Sequence, residues 1–275
     1  MTAKKERTEV STWQLDDGTA SNDWPRYRER LEDVATRRGF ALESLGQAGG
    51  YPLLFGRRRA ATAGARRLMI ASGFHGDESA GPWGLLAFLE SADPSLLDAV
   101  DLSILPLVNV TGFRAGTRLN AAGENPNRGY RPGEESPSFE GRVLLACGER
   151  MLAAARDGLL TCHEDVPMSQ AYVYGMEPRD TPGAFSRGLL AANARFFEVH
   201  PDGEIEGRPV RDGIVLNHWD TSFEAWLYES GVPLAATVET PGQHPIDRRV
   251  AAQAAMMQFF TGFVPSAQDS TAPMA

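Results

Sequence analysis

The sequence predicts a single α/β domain, in which a mixed, mostly parallel central sheet is flanked by helices. One observation behind this is that short apolar runs typical of buried strands alternate with segments whose apolar residues recur at helical spacing. The other is composition, since 275 residues that are 42% hydrophobic can bury one large core. We therefore expect one folded domain over 23–264, a polar and flexible segment over 1–22, and a disordered tail over 265–275.

The individual elements follow from local patterns along the chain. A predicted helix over 24–38 precedes strands at 40–45 and 51–59, which a Gly-rich turn joins. Apolar runs then predict four further strands, at 68–71, 102–108, 159–162 and 234–238. Helical periodicity predicts the segments that separate or follow them, at 79–91, 138–156, 181–197 and 246–260.

Charge and cysteine content exclude several classes of function. A formal net charge of −9 disfavours nucleic acid or an anionic membrane surface as a partner, and no aromatic residues interleave with the basic clusters 57–59 and 66–67. Two cysteines, Cys147 and Cys162, are too few for a disulfide framework. Without a signal-peptide pattern or an apolar stretch of roughly 20 residues, we expect a soluble, cytoplasmic protein.

The segment from Phe74 to Glu78 carries the first candidate chemistry, directly after the strand at 68–71. His75 and Glu78 stand three residues apart, and an imidazole nitrogen with a carboxylate oxygen suits zinc. In open α/β sheets ligands bind beyond the carboxyl ends of the strands, which is where this pair lies. A catalytic zinc usually takes three protein ligands, so a third is needed.

Two later strands end in residues that complete such a site. The strand at 159–162 leads into His163, a third ligand, and Cys162 should point the opposite way because side chains alternate along a strand. Asp165 shares the face of His163 and could orient a ligand or contact a second cation. The strand at 234–238 ends in Glu239, which could act as a general base near a zinc-activated water.

Taken in chain order, these residues resemble the zinc carboxypeptidase (metallocarboxypeptidase) family, as a divergent bacterial-type member. That family has HxxE, then an Arg followed nine and ten residues later by Asn-Arg, then a lone ligand His and a catalytic Glu. The resemblance covers about residues 50–262. The matching positions here are His75 and Glu78, Arg118, Asn127 and Arg128, His163, and Glu239.

The resemblance implies a zinc-dependent hydrolase that releases a C-terminal amino acid from a peptide. His75, Glu78 and His163 would bind one zinc ion, and Glu239 would act as general base and then acid. Arg118 would polarise the scissile carbonyl. Asn127 and Arg128 would hold the terminal carboxylate, which positions the last peptide bond over the metal.

Three departures from the family pattern accompany the resemblance. Asn125 stands where the family commonly has the acid that supports the first zinc histidine, so zinc affinity is expected to suffer. The family's substrate-closing tyrosine falls on Asn217, and the neighbouring His218 is a candidate substitute. The segment 165–217 matches no family motif and is expected to carry specificity.

Glu224 falls near a position that lines the family's specificity pocket. A carboxylate there would favour a basic terminal side chain.

Other functions remain open at this stage. One is deacylation of N-acylated amino acids, as in the aspartoacylase and succinylglutamate desuccinylase group, although members of that group usually carry a β-rich region after the catalytic Glu and only 36 residues follow Glu239 here. Another is a murein-peptide amidase on the carboxypeptidase fold. A non-catalytic binding module is disfavoured, because a pure binder has no need of a base beside a metal.

Overall fold

Alternating helices and strands make up most of the part of the chain that this computed structural model describes, which is Leu15 and residues 21–266. The helices are α1 (Trp24–Arg37), α2 (Ala80–Ser91), α3 (Pro94–Asp98), α4 (Val110–Ala115), α5 (Phe139–Ala146), α6 (Gly148–Ala154), α7 (Ala184–Asn193), α8 (Phe223–Glu229) and α9 (Ile246–Gly262). The strands are β1 (Ala41–Ala48), β2 (Tyr51–Arg58), β3 (Arg66–Ser72), β4 (Val100–Leu105), β5 (Gly158–Asp165), β6 (Tyr172–Met176), β7 (Gly203–Ile205), β8 (Arg208–Val210), β9 (Ile214–Leu216) and β10 (Ala235–Pro241).

Eight of these strands form one mixed sheet in the order β1-β2-β4-β3-β5-β10-β6-β9. Its centre, β4-β3-β5-β10, is parallel, while β2 and β6 pair with it in antiparallel fashion. Strands β7 and β8 form a separate two-stranded hairpin. The predicted α/β class with a mixed, mostly parallel sheet is therefore confirmed.

Helices cover both faces of the sheet, and alternate residues of the central strands pack on each side. On β3, Leu68 and Ile70 join the core beneath α1, α2, α7 and α9, whereas Met69 and Ala71 join the core beneath α5, α6 and α8. Burial on both faces explains the continuous apolar runs of the parallel strands. Cys162 lies in the core beneath α1, α2, α7 and α9 and is a free thiol. It is thus on the face opposite to His163, as the alternation of side chains along the strand predicted.

Several predicted boundaries differ from the observed ones. The helix predicted over 138–156 is two helices that meet at Cys147, and the following Gly148 is a poor helix former that lies close to Trp226. The strand predicted over 102–108 ends at Leu105, before Pro106. The helix predicted over 181–197 is the shorter α7, which begins after Pro182 and Gly183.

The chain ends fall largely outside the described residues. The prediction of a flexible segment at 1–22 concerns mainly residues 1–14 and 16–20, and that of a disordered tail concerns mainly 267–275; all of these lie outside the described part. No helix within the described part is long and apolar enough to cross a membrane.

Candidate metal centre and catalytic cleft

The loop between β3 and α2 holds His75 and Glu78 in place. The backbone N–H of Gly76 donates to the carbonyl of Arg118, and that of Glu78 lies 3.4 Å from the carbonyl of His75. A Cβ at Gly76 would lie 1.9 Å from the backbone of Gly112, so only glycine allows the two segments to approach this closely. A tight backbone contact at Gly76 thus helps to fix the position of the loop that carries His75 and Glu78.

Strands β5, β10 and β6 contribute a row of side chains on one face of the sheet. His163 on β5 pairs directly with Glu239 on β10, which in turn pairs with Tyr172 on β6. Directly paired residues of neighbouring strands present their side chains on the same face. The sheet register therefore aligns a candidate ligand, a candidate base and a tyrosine.

His75, Glu78 and His163 converge at one buried point. Each side chain is no more than 4% exposed, and the Nδ1 atoms of the two histidines lie 3.3 Å apart. The Glu78 carboxylate lies between them, with Oε1 2.6 Å from the Nδ1 of His75 and Oε2 2.9 Å from the Nδ1 of His163. It is the one group of three or more potential metal ligands within the described part of the chain.

The donor set fits a zinc ion. Two ligands at 2.0–2.1 Å from a tetrahedral zinc would be about 3.3 Å apart, which matches the separation of the two Nδ1 atoms. Burial alone would raise the pKa of Glu78, but the positive potential of His75 and His163 holds it below its usual range. The carboxylate is therefore ionised, as a metal ligand must be.

The side of His75 away from this centre faces Asn125. The Oδ1 of Asn125 lies 3.1 Å from the Nε2 of His75 and also accepts the backbone N–H of Asn127. A hydrogen bond from Nε2–H to this oxygen would leave the Nδ1 of His75 to bind a metal. The amide thus stands at the supporting position that the sequence indicated.

Glu239 lies in the same cleft in an electrostatic setting suited to proton transfer. Burial raises its pKa well above the ordinary value, and the nearby Glu78 and Asp165 raise it further, while Arg118 opposes them. A bound cation would oppose this shift and keep the carboxylate ionised, as a proton acceptor must be.

All nine residues predicted for the site line one cleft of about 400 Å³. The Nη1 of half-exposed Arg118 donates to Glu78 Oε1 at 3.0 Å, and Arg128 forms an ion pair with Asp220 at 3.3 Å. Both guanidinium groups thus line the cleft, and that of Arg118 contacts a candidate metal ligand. Their predicted roles toward a substrate stay predictions.

Asn127 and Glu224 form a buried pair at the wall of this cleft. The Oδ1 of Asn127 accepts the backbone N–H of Phe223, and its Nδ2 donates to Glu224 Oε1 at 3.2 Å. Thr237 also donates to this Oε1, whereas Glu224 Oε2 is buried with no hydrogen-bond partner within the described residues. The internal bonds leave Arg128 as the freer of the two predicted carboxylate contacts.

Asn217 and His218 have separate roles in the structure. Asn217 adopts a left-handed conformation (φ 52°), and its side chain accepts the backbone N–H of Glu177 and donates to the carbonyl of Arg179. It serves as a turn residue. His218 lines the cleft, with its ring centroid 6.0 Å from that of Tyr174 and its Nε2 3.7 Å from Asp220.

The segment without a matching motif supplies cleft residues that sequence reasoning missed. Tyr172 and Tyr174 on β6 both line the cleft, and the hydroxyl of Tyr172 donates to Asp165 at 2.8 Å. Asp165 therefore accepts a hydrogen bond from a tyrosine. Asp165 is not among the potential metal ligands that cluster around His163. The alternation in Tyr172-Val173-Tyr174 was the available signal, since it is typical of a strand with one polar face.

Comparison with known proteins identifies a matching family model and similar solved structures. The model of the succinylglutamate desuccinylase/aspartoacylase catalytic domain matches residues 64–148, a range that includes His75, Glu78, Arg118 and Arg128. A crystal structure from Shewanella amazonensis, provisionally named a metallopeptidase, is 46% identical with a TM-score of 0.86, and the match covers 90% of this chain and 96% of that one. No curated protein sequence matches the chain.

More distant structures share the fold alone. A metallo-carboxypeptidase from Burkholderia cenocepacia is 20% identical with a TM-score of 0.65, over 86% of this chain and 68% of that chain. The murein-tripeptide amidase MpaA from Escherichia coli O157 is 20% identical with a TM-score of 0.56, over 84% of this chain and 96% of that chain.

Proposed function

This chain belongs to the superfamily of zinc carboxypeptidases and succinylglutamate desuccinylase/aspartoacylase enzymes, and from that premise we propose that it is a zinc-dependent carboxypeptidase. Its substrate would be a peptide whose last residue carries a free carboxylate. The observation that carries the proposal is the convergence of His75, Glu78 and His163 with Glu239 in one cleft that also contains Arg128.

The side chains of the cleft can divide the chemistry among them. His75, Glu78 and His163 would hold a zinc ion, which when bound supplies a Lewis acid that activates water and polarises a carbonyl. Glu239 would accept the proton of the attacking water and deliver it to the leaving amine. Arg118 would stabilise negative charge on the carbonyl oxygen, and Arg128 would fix the substrate carboxylate.

Release of free amino acids from matched substrates tests this proposal. We expect hydrolysis of peptides with a free C-terminal carboxylate, loss of activity with a zinc chelator and recovery with added zinc. Peptides whose C-terminus is amidated should be poor substrates, because they lack the carboxylate that Arg128 would hold. Hydrolysis that survives the chelator, or equal rates on amidated peptides, would contradict the proposal.

Deacylation of N-acyl amino acids is the second candidate, and the family model that matches residues 64–148 favours it. Both reactions cleave an amide that releases an amino acid, so the groups in the cleft serve either one. Substrates that release the same amino acid from an acetyl, a succinyl or an aminoacyl group separate the two. A preference of the enzyme for the aminoacyl group supports the carboxypeptidase.

Glu224 would contribute to selection of the released residue. Its unpartnered Oε2 lies buried in the cleft wall, where a cationic side chain would supply the missing partner. We expect peptides ending in Arg to be cleaved faster than those ending in Leu or Glu. Equal turnover of the three would remove this part of the proposal.

A further inference from the structure

The β7–β8 hairpin forms part of the cleft wall and is anchored firmly beside it. Ile205 beside the turn and Val210 at the open end of the hairpin are buried in a small apolar cluster with Tyr172 and Val215. Glu206 and Gly207 form the two-residue turn, and Glu206 is the hairpin residue that lines the cleft. The hairpin thus presents one carboxylate to the cleft from a fixed base.

The turn gives this carboxylate a defined position. Glu206 and Gly207 both have positive φ angles, of 48° and 75°, which is the pattern of a tight hairpin turn. Glu204 lies two residues earlier on β7, is exposed and does not line the cleft. The hairpin therefore offers its own matched comparison between one glutamate at the cleft and one outside it.

Glu206 borders the side of the cleft where Arg128 lies. Tyr174 contacts the ring of His218, His218 lies 3.7 Å from Asp220, and Asp220 pairs with Arg128. Ile205, the neighbour of Glu206, lies in an apolar cluster that Tyr174 packs against, so Glu206 lies near the start of this series. A substrate carboxylate held by Arg128 would bring the side chain of the same residue toward the hairpin.

Several carboxylates that line the cleft have no ion-pair partner within the described residues. Arg118 pairs with Glu78 and Arg128 with Asp220, while no ion pair within the described residues involves Asp165, Glu206 or Glu224. The hydroxyl of Tyr172 donates to Asp165 at 2.8 Å, so the partner of this acid is neutral. Independently, Glu224 is 5% exposed, and its Oε2 is buried with no hydrogen-bond partner within the described residues.

We infer that the β7–β8 hairpin is a specificity wall, and that Glu206 at its tip determines selection of a cationic side chain on the released residue. This inference rests on the proposed function. An ammonium or guanidinium group between Glu206 and the cleft wall would neutralise carboxylates that form no ion pair within the described part of the chain. These carboxylates would repel an anionic side chain, and they would neither attract nor repel a neutral one.

Three substrates that share one blocking group and release lysine, norleucine or glutamate test the inference. We expect kcat/KM in wild type to fall in that order, because norleucine retains the alkyl chain of lysine without its charge. Glu206 is exposed, so Glu206→Gln should lower the lysine-to-norleucine ratio about three- to fivefold, and Glu206→Lys about tenfold or more. Added salt should weaken the wild-type preference.

Glu204→Gln is the matched control and should leave the ratio within about twofold of wild type, since this carboxylate lies outside the cleft. A ratio unchanged in Glu206→Lys would overturn the inference. So would an equal change on all three substrates in Glu206→Gln, because that result means only a structural effect of the turn.

Calorimetry can measure the same preference without turnover. It compares the binding of free lysine and of free norleucine to the zinc-loaded protein. A lysine preference that depends on Glu206 in a protein without peptidase activity would sustain the hairpin inference and refute the proposed reaction. The absence of any binding preference for lysine would overturn the inference itself.

Discussion

Neutral Asn125 supports His75, where the resembling family commonly has an acid. The hydrogen bond is present at 3.1 Å, so orientation of the imidazole is retained while the charge that would raise its basicity is not. We predict that Asn125→Asp binds zinc about tenfold more tightly, measured by competition with a chromogenic chelator. The backbone bond from Asn127 to Oδ1 is available to either side chain.

Glu124→Gln serves as the control for that change, because Glu124 bonds Asn120 and lies outside the cleft lining. Its zinc affinity should equal that of wild type. Unchanged or weaker zinc binding by Asn125→Asp would mean that the neutral amide does not limit the site.

Site residues at strand ends were predictable, because there a potentially reactive side chain directly follows an apolar run that predicts a strand. His163 and Glu239 each follow an apolar run, and parallel strands bring such positions to one edge of the sheet. Glu206 was not predictable, because it lies in the turn of a hairpin of three-residue strands whose placement depends on Tyr172 and Val215. Short elements of this kind owe their position to tertiary contacts.

At the scale of elements, Asn217 ties the end of β9 to the chain after β6. Its left-handed backbone and two side-chain hydrogen bonds hold the turn that positions His218 beside the cleft. We predict that Asn217→Ala lowers the free energy of unfolding by about 2–3 kcal/mol, because it loses the bonds and strains the backbone. Urea denaturation measures this loss.

Asn217→Gly separates the two contributions. Glycine tolerates the positive φ, so this variant should lose about 1 kcal/mol less than Asn217→Ala. Equal stability of the two variants would show that the backbone conformation carries no cost here.

The long elements of the central sheet were predictable, whereas the segment 165–217 was not. Strands β3, β5 and β10 are buried on both faces and read as apolar runs. Strand β6 alternates and is five residues long, and β7, β8 and β9 have three residues each. The three-residue strands carry too little periodic signal to identify from sequence, and β6 offers only the alternation Tyr172-Val173-Tyr174.

For the whole molecule, Glu239 should make the stability of the metal-free protein depend on pH. Its folded pKa is raised above the unfolded value near 4.5, so above pH 4.5 the unfolded state binds fewer protons than the folded state. We predict that the metal-free protein loses about 1 kcal/mol or more of unfolding free energy between pH 5 and 7. Thermal or urea unfolding at each pH measures the slope.

Glu239→Gln should flatten that slope, because glutamine does not titrate. Zinc should also reduce it, since a nearby cation stabilises the ionised carboxylate, and zinc should raise the melting temperature in both proteins. A slope that persists unchanged in Glu239→Gln would assign the pH dependence to other groups.

We propose that one metal held by His75, Glu78 and His163 works together with Glu239 in hydrolysis. The decisive measurement is the rate of amino-acid release by Glu239→Gln and by wild type, compared at equal zinc content. We predict that kcat/KM falls about 10²- to 10⁴-fold while zinc remains bound, because only the proton-transfer group is lost. A rate within a few-fold of wild type, with zinc in place, would contradict that claim.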